Sequence, residues 1–297
     1  MTDAADLEAK ARALEETGCY RVLRKLGSPL FTTEPFSSDN KLAVFVDVET
    51  TGLEPSKDEI IEIALIRFRY STEGTITSIV DAFDQLREPS FPIPEVATGI
   101  TGITNEMVAG CRIDEEAVEE IVASADLVIA HNALFDRRFL ERLFPIFASK
   151  AWACSMSEID WAGEGFEGTK LTYLAAETGF FYDRHRAEND CFASIELLRR
   201  KLPKSGETGL AALLRRARQT TWRIWAEGAP FELKDVLKAR GYRWNAEERE
   251  GPRAWYFDAL EEQKEAEIAF LKDEIYRVEK QVRITKITAF DRYSDRV

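Results

Sequence analysis

The sequence contains few cysteines and histidines and no long apolar run. Its four cysteines are scattered, with no pair at metal-binding or redox spacing, so we expect small buried side chains in a reducing cytoplasm. No run approaches the roughly 18 apolar residues of a membrane-spanning helix, and the acidic N-terminus has no apolar signal segment. We therefore expect a soluble, cytoplasmic protein with no membrane partner.

The chain also lacks net positive charge. Its 297 residues carry a formal charge of −13, which argues against extensive non-specific contacts with DNA. The charge is uneven, because residues 203–297 hold 19 Lys and Arg against 17 Asp and Glu, so the acidic excess lies in residues 1–202. A length of 297 residues with 45% hydrophobic content predicts a substantial core and about two domains.

The most informative stretch is Lys41–Leu53. Its first part is apolar on both faces, as is typical of a central buried strand, except for Asp47. Side chains alternate along a strand, so Asp47 and Glu49 share one face while Val46 and Val48 share the other. Two acids at a buried strand end repel each other unless a cation binds them, and oxygen ligands suit Mg²⁺ or Mn²⁺. The alternative is a strand end whose acids are merely solvated.

The order of elements predicts an α/β fold with covered sheet faces. A helix over Ala4–Leu26 comes first. Three consecutive strands form a meander, and later strands alternate with helices. The strands are expected at 42–48, 59–70, 75–86, 126–130 and 152–159, and the helices at 114–124, 133–144, 169–178 and 187–202. We expect an N-terminal helix and loop over 1–40, an α/β domain over 41–202, a linker over 203–209, and a smaller α+β domain over 210–297.

Two further acids and one histidine complete the candidate site. Asp136 and Asp190 each lie near the start of a predicted helix, where an acid is also favoured by the helix dipole. His185 lies in an Arg-rich loop, where a solvated side chain is the ordinary interpretation. The set as a whole favours a site, because the chain has only two histidines and each lies within five residues of one of these acids.

Three segments resemble the exonuclease motifs of the DEDDh family in order and spacing. They are Phe45–Leu53, His131–Asp136 and His185–Asp190. The family includes the proofreading epsilon subunit of bacterial DNA polymerase III, ribonuclease T and oligoribonuclease. The resemblance covers about residues 41–202. It implies a ribonuclease H-like fold, with a mixed five-stranded sheet flanked by helices, and hydrolysis of nucleic acid from the 3′ end.

The resemblance also implies roles for particular residues. Asp47, Glu49, Asp136 and Asp190 would hold two divalent cations, Mg²⁺ or Mn²⁺, and His185 would be the general base. The implied substrate-binding residues are Thr50, Thr51, Gly52, Leu53, Asn132 and Phe135. A core position on an amphipathic helix is an equally good interpretation of Phe135.

The C-terminal region has two open interpretations. Four of the six tryptophans lie here, at positions 222, 225, 244 and 255, interleaved with basic residues. This pattern suits stacking on single-stranded bases. Alternatively, the aromatic side chains form the core of a small domain that has few aliphatic residues.

Three functions follow from these patterns. The first is a 3′–5′ exonuclease acting on a nucleic acid with a free 3′ end, with single-stranded DNA favoured and a replication or repair protein as a possible partner. The second has the same chemistry but trims RNA or degrades short oligonucleotides. The third is a catalytically silent binding module, which predicts the loss of an acid or the base, although all five residues are present.

Overall fold

The computed structural model describes residues 4–27, 40–246 and 251–297. The chain begins with α1 (Ala4–Glu16) and β1 (Arg24–Lys25). The predicted helix over Ala4–Leu26 is therefore too long. Gly18 adopts a left-handed conformation just after α1, and Arg24 pairs with Glu8 and Glu15 of that helix. The polar loop predicted before Lys41 lies mostly outside the described residues.

Five strands form the large sheet of the described residues, in the order β4-β3-β2-β5-β6. They are β2 (Lys41–Thr50), β3 (Ile60–Tyr70), β4 (Ile76–Leu86), β5 (Leu127–Ala130) and β6 (Trp152–Cys154). The first three are antiparallel neighbours, while β5 is parallel to both β2 and β6. This arrangement confirms the predicted meander and the ribonuclease H-like mixed sheet. The predicted strand over 152–159 is shorter, ending at Cys154.

Helices cover both faces of this sheet. In chain order they are α2 (Glu95–Thr101), α3 (Asn105–Val108), α4 (Glu115–Ser124), α5 (Ala133–Leu143), α6 (Trp161–Glu164), α7 (Leu171–Glu177) and α8 (Ala187–Arg199), with a 3₁₀ turn at Pro145–Ser149 and the short strand β7 (Phe180–Phe181), which pairs with β1. The carboxylate of Asp114 caps α4 by accepting from the Ala117 amide. No helix among the described residues has the length and apolar content needed to cross a bilayer.

The alternation of β2 decides which helices meet the candidate site. Ala43 and Phe45 pack in one cluster with α7 and α8, whereas Val44 and Val46 pack in another with α4 and α5. Asp47 continues the Ala43–Phe45 face, so it lies on the side of the sheet that α8 covers. The predicted separation of the two faces is confirmed, and it brings β2 and α8 together.

The C-terminal region forms a second, four-stranded sheet in the order β11-β8-β10-β9. Its elements are β8 (Thr221–Ala226), β9 (Arg243–Trp244), β10 (Trp255–Leu260) and β11 (Arg283–Ile287), with α10 (Lys234–Ala239), α11 (Glu261–Phe270) and a π-helical turn at Leu271–Tyr276. The neighbours are antiparallel throughout. This confirms the predicted α+β character. The sequence also predicts a hairpin turn around Glu250–Pro252, between β9 and β10, and Glu250 lies outside the described residues.

The four C-terminal tryptophans do not form a single class. Trp225 is buried, with 3% of its surface exposed, whereas Trp244 is 48% exposed. Trp222 and Trp255 are half-buried, and the ring of Trp255 meets that of Trp244 edge-on at 5.6 Å between centroids. The core interpretation therefore fits Trp225, and a contact surface remains open for Trp244.

The boundary between the two sheets differs from the expected linker at 203–209. Helix α9 (Gly209–Ala217) begins within it, capped by Thr208, and Leu210 and Leu213 are fully buried in the core of the large sheet. We therefore propose that α9 belongs to the first domain and that the division falls near residue 218.

The cysteines divide two and two. Cys154 and Cys191 are buried, as expected, but Cys19 is exposed and Cys111 is only half-buried. Cys19 lies in the turn after α1, where no core packs over it.

Candidate active site

Three carboxylates converge where β2 ends and α8 begins. Each of Asp47, Glu49 and Asp190 offers an oxygen atom, and these atoms all lie within 4.8 Å of one another. Asp47 and Glu49 come from the same face of β2, and Asp190 comes from the first turn of α8. Two residues brought together by strand alternation thus meet a third that is 141 positions from Glu49 in the sequence.

The electrostatics of this cluster oppose ionisation. Burial, followed by the charges of Asp136 and Asp190, raises the pKa of Asp47 well above its usual range. Burial and the charge of Asp190 raise the pKa of Glu49 to about 8. None of the described residues donates a hydrogen bond to the carboxylate of Asp47 or of Glu49. Such a group of mutually repelling oxygens is stabilised by binding a cation.

Asp136 lies beside this cluster but outside the group of three. It is 2% exposed, in the first turn of α5, and its Oδ1 accepts from the Val48 amide at 3.3 Å. Burial raises its pKa to about 7, although this backbone hydrogen bond acts in the opposite direction. Because Val48 lies between Asp47 and Glu49, the contact ties α5 directly to the acidic end of β2.

Asp190 is held by its own loop. The Tyr182 hydroxyl donates to Oδ1 at 2.8 Å, and the His185 amide donates to Oδ2 at 3.0 Å. Burial still raises the pKa of Asp190, while these hydrogen bonds and the nearby His185 lower it. His185 itself is exposed and has a φ of +62°, a conformation uncommon for residues other than glycine. The loop thus places an exposed imidazole beside a site carboxylate.

An ion pair between a half-exposed arginine and a buried glutamate holds the other side of this loop. Glu62 is fully buried on β3, directly opposite Glu49 in the sheet. Its carboxylate accepts from Arg186 Nε at 2.8 Å and from the Ala187 amide at 3.0 Å, at the start of α8. Hydrogen bonding to Glu62 raises the pKa of Arg186. The two residues that follow His185 are therefore attached to β3, while Tyr182 on its other side is attached to α8 through Asp190.

The segment after β2 is held by its own polar groups. The Thr50 hydroxyl donates to the Gly52 carbonyl, and Thr51 bonds to both Asp58 and the Glu59 backbone. A Cβ at Gly52 would lie 2.5 Å from the Asp58 carboxylate, so a larger residue would displace a side chain that bonds to Thr51. The side chain of Leu53 is 85% exposed. Of the predicted substrate residues here, only Leu53 presents a free side chain.

The segment His131–Asp136 has some side chains at the surface and others in the core. Asn132 is exposed at the start of α5, while Phe135 is half-buried and meets Phe139 at 4.9 Å between ring centroids. His131 is buried. Its Nε2 donates to the Thr169 carbonyl at 2.8 Å, and its Nδ1 lies 2.9 Å from the Ser155 hydroxyl. Burial lowers the pKa of His131 to about 4, so the ring is neutral and serves the fold.

The exonuclease family model RNase_T matches residues 44–198, more than half of the chain. The chain belongs to this exonuclease family. The match includes all the carboxylates described above and His185.

Three curated relatives are similar to the exonuclease domain. DNA polymerase III PolC-type from Caldanaerobacter subterraneus is 28% identical over 228 residues, which cover 72% of this chain and 16% of the relative. The 3′–5′ exonuclease DinG from Bacillus subtilis is 34% identical over 155 residues, covering 50% and 16%. A DNA polymerase III subunit epsilon-like protein from Rhodobacter capsulatus is 32% identical over 181 residues, covering 58% and 25%. The chain spans a quarter or less of the length of each.

Solved structures include two similar exonucleases. Exonuclease X in complex with 5′ overhanging duplex DNA has a TM-score of 0.44 and is 27% identical, covering 58% of this chain and 99% of the other. Escherichia coli Exonuclease I in complex with a 5cy-dA13 oligonucleotide has a TM-score of 0.49 and is 16% identical, covering 74% and 64%.

Two residues of the exonuclease site were not predicted from the sequence. Glu62 interrupts an apolar strand, as Asp47 does, and that signal could have identified it. Tyr182 carries no such signal, because a tyrosine at the end of a short strand is ordinary. Its bond to Asp190 depends on how the loop folds back onto α8.

Proposed function

We propose that the chain is a divalent-metal-dependent exonuclease that removes nucleotides from the 3′ end of single-stranded DNA. The observation that supports this most directly is the convergence of the carboxylates of Asp47, Glu49 and Asp190 within 4.8 Å of one another, inside the matched family domain. Family membership supplies the reaction class. The direction of digestion and the preference for single strands are part of the proposal.

The donor set fits hard divalent cations. Carboxylate oxygens are the ligands that Mg²⁺ and Mn²⁺ prefer, and buried acids with raised pKa values release their protons when a cation replaces them. We propose that Asp47, Glu49, Asp136 and Asp190 hold two such ions. When bound, they lower the pKa of water and neutralise charge on the leaving 3′-oxygen.

The chain's own residues have distinct roles in this proposal. His185 accepts a proton from the attacking water, since it is exposed beside Asp190 and free to approach a substrate. Tyr182 and the Val48 amide fix the orientations of Asp190 and Asp136. In this proposal the exposed side chain of Leu53 makes an apolar contact with the terminal base, and Asn132, at the start of α5, contacts the other side of the terminal nucleotide.

The cellular setting is also a proposal. The names of the PolC-type and epsilon-like relatives support a replication or repair protein as partner. The unpaired thiols of all four cysteines suit the reducing cytoplasm. An RNA substrate is the alternative, and the assay below compares it directly.

The test is cleavage of end-labelled single-stranded DNA, duplex DNA and RNA with Mg²⁺, with Mn²⁺ and with EDTA. We expect metal-dependent shortening from the 3′ end, fastest on single-stranded DNA. Asp47→Ala and Asp190→Ala should abolish it while circular dichroism is unchanged. Asp81→Ala, which removes an acid from β4 of the same sheet, is the matched control and should retain activity. Cleavage that persists in EDTA or in both site variants would contradict the proposal.

A further inference from the structure

The N-terminal segment, residues 4–27, lies outside the part of the chain that the exonuclease family model matches, residues 44–198. It nevertheless contacts the active-site loop. Strand β1 of this segment pairs in parallel with β7. The chain runs from β7 directly into the loop that carries His185, and α8 follows that loop. The partner of β1 is therefore the strand from which the active-site loop begins.

Two contacts from β1 and its end lie on either side of Tyr182. The Leu26 amide donates to the Phe181 carbonyl at 2.8 Å, and Lys25 Nζ donates to Asp183 Oδ2 at 2.6 Å. Phe181 and Asp183 are the residues immediately before and after Tyr182. The N-terminal segment therefore restrains the chain on both sides of this tyrosine.

Tyr182 connects this restraint to the carboxylate cluster. Its ring is buried, in the same core against which Leu26 packs. Its hydroxyl donates to Asp190 Oδ1 at 2.8 Å. Hydrogen bonds of this kind orient a carboxylate that binds a cation, and their loss lowers the affinity for the metal. The position of Tyr182 thus sets the orientation of a candidate metal ligand.

Asp183 is also held from the side of α8. Its backbone carbonyl accepts from Asn189 Nδ2 at 2.9 Å, while its side chain pairs with Lys25. Only Arg184 separates this doubly bonded residue from His185. The contact with Lys25 is therefore close in the chain to the candidate general base.

The strand β1 is itself fixed in place. The Arg24 amide donates to the Gly179 carbonyl at 3.1 Å, and the Arg24 guanidinium bonds to Glu8 and Glu15 of α1, each at 3.0 Å. A folded segment with its own helix thus braces the loop. Such a brace reduces the conformational freedom that the loop loses when a ligand binds at the site.

We propose that the N-terminal segment is a positioning element of the exonuclease site, in which Lys25 and Leu26 hold the loop so that Tyr182 orients Asp190. The proposal rests on the exonuclease function proposed above, which assigns Asp190 to a divalent cation. Lys25 and Leu26 are positioning residues, because they act on Asp190 through Tyr182 and its neighbours.

Two disruptive variants and one rescue test the proposal in the full-length protein. Lys25→Glu places two negative charges at the contact with Asp183. Combining Lys25→Glu with Asp183→Lys restores an ion pair with its charges exchanged. Leu26→Pro removes the amide that donates to the Phe181 carbonyl.

Each disruptive variant has a matched control in the same segment. Lys10→Glu matches Lys25→Glu, because Lys10 also pairs at 2.6 Å, with Asp6, and its side chain is 64% exposed against 57% for Lys25. Leu23→Pro matches Leu26→Pro, because the Leu23 amide donates to none of the described residues. Melting temperatures verify that every variant folds.

The first measurement is hydrogen–deuterium exchange of a peptide that spans residues 179–187, in EDTA. We expect its amides to exchange about tenfold faster in the two disruptive variants, and within twofold of wild type in the rescue and in both controls. A peptide from β3 should be unchanged in every variant, which shows that the effect is local. Unchanged loop exchange in both disruptive variants, or an equal increase in the controls, would overturn the proposal.

The second measurement is the affinity for Mn²⁺ without substrate, by electron paramagnetic resonance of the free ion. We expect about tenfold weaker binding in the disruptive variants and recovery in the rescue. With Mg²⁺, kcat on dT20 should fall by a similar factor while KM stays within twofold. A merely structural role of the segment would leave Mn²⁺ affinity unchanged in proteins that remain folded.

The outcomes separate this proposal from the proposed function. If wild-type protein neither binds Mn²⁺ nor cleaves dT20, the proposed function fails, and loop exchange still decides whether the N-terminal segment holds the loop. If wild-type protein does both, and the disruptive variants exchange faster but keep their Mn²⁺ affinity and kcat, the positioning proposal fails alone.

Discussion

Replacing Glu49 with glutamine should stabilise the metal-free protein although it removes a predicted metal ligand. The carboxylate is largely buried, has the charge of Asp190 nearby, and its pKa is raised from 4.5 to about 8. Glutamine keeps the shape of the protonated acid without the charge. In the folded wild-type protein this acid must take up a proton to be buried beside Asp190, whereas in the unfolded chain it is ionised. The variant removes that free-energy penalty.

The magnitude follows from the pKa. Because the folded pKa lies above the unfolded value, the penalty is absent below pH 4.5 and grows as the pH rises towards 8. At pH 7 it amounts to about 3 kcal/mol, at 1.36 kcal/mol per pH unit above the unfolded pKa. For a protein of this size, that free energy corresponds to a rise in melting temperature of roughly 5–10 °C.

The assay is thermal unfolding in EDTA at pH 4.5 and pH 7.5, then at pH 7.5 with Mn²⁺. We expect Glu49→Gln to melt higher than wild type at pH 7.5, and at the same temperature at pH 4.5. Mn²⁺ should stabilise wild type and have a smaller effect on the variant. Glu54→Gln, in the exposed loop beyond β2, is the control and should match wild type throughout. A lower melting temperature for Glu49→Gln in EDTA at pH 7.5 would refute the charge-repulsion reasoning.

Three other predictions concern the residues around the cluster. His185→Ala should slow single-turnover cleavage by roughly 10²–10⁴-fold with little loss of substrate affinity, and an unchanged rate and pH profile would identify another group as the base. His131→Asn should reduce the loss of unfolding free energy on acidification. The pKa of His131 is about 4 in the folded state against 6.5 in the unfolded chain, so this residue lowers the unfolding free energy of wild type by about 3 kcal/mol as the pH falls from 6.5 to 4. Urea unfolding of both proteins across this pH range measures the difference. Glu62→Gln should lower kcat roughly ten- to a hundredfold with a smaller change in KM, because it weakens the hold on Arg186 beside His185. Steady-state kinetics of Glu62→Gln, Arg186→Ala and the double variant check this, and fully additive losses would show that the two residues act separately.

The C-terminal domain calls for substitutions rather than truncation. Cutting the chain near Pro203 would remove α9, whose Leu210 and Leu213 are buried in the core of the large sheet. It would also remove the backbone carbonyls of Phe290 and Arg292, which accept hydrogen bonds from the buried guanidinium of Arg137. Loss of activity after such a cut would report on stability and not on substrate binding.

Local pattern was sufficient for the sheet and for two of the three carboxylates in the cluster. The strand β2, the face shared by Asp47 and Glu49, and the order of alternating strands and helices follow from period-two alternation and from short-range capping signals. These are properties of neighbouring residues, so the sequence alone determined them. The motifs added Asp136, Asp190 and His185 as candidates, and the structure places these residues beside the same strand end.

Only the tertiary structure decided which groups share one environment. Nothing in the sequence shows that Tyr182 bonds to Asp190 or that Glu62 pairs with Arg186. Nor does it show that His131 is buried and hydrogen-bonded to the Thr169 backbone. Nor does composition separate the buried Trp225 from the exposed Trp244, since both lie on strands among basic residues. Burial, hydrogen bonding and pKa depend on contacts between segments far apart in the chain. Those contacts exist only once the chain has folded and brought these segments together.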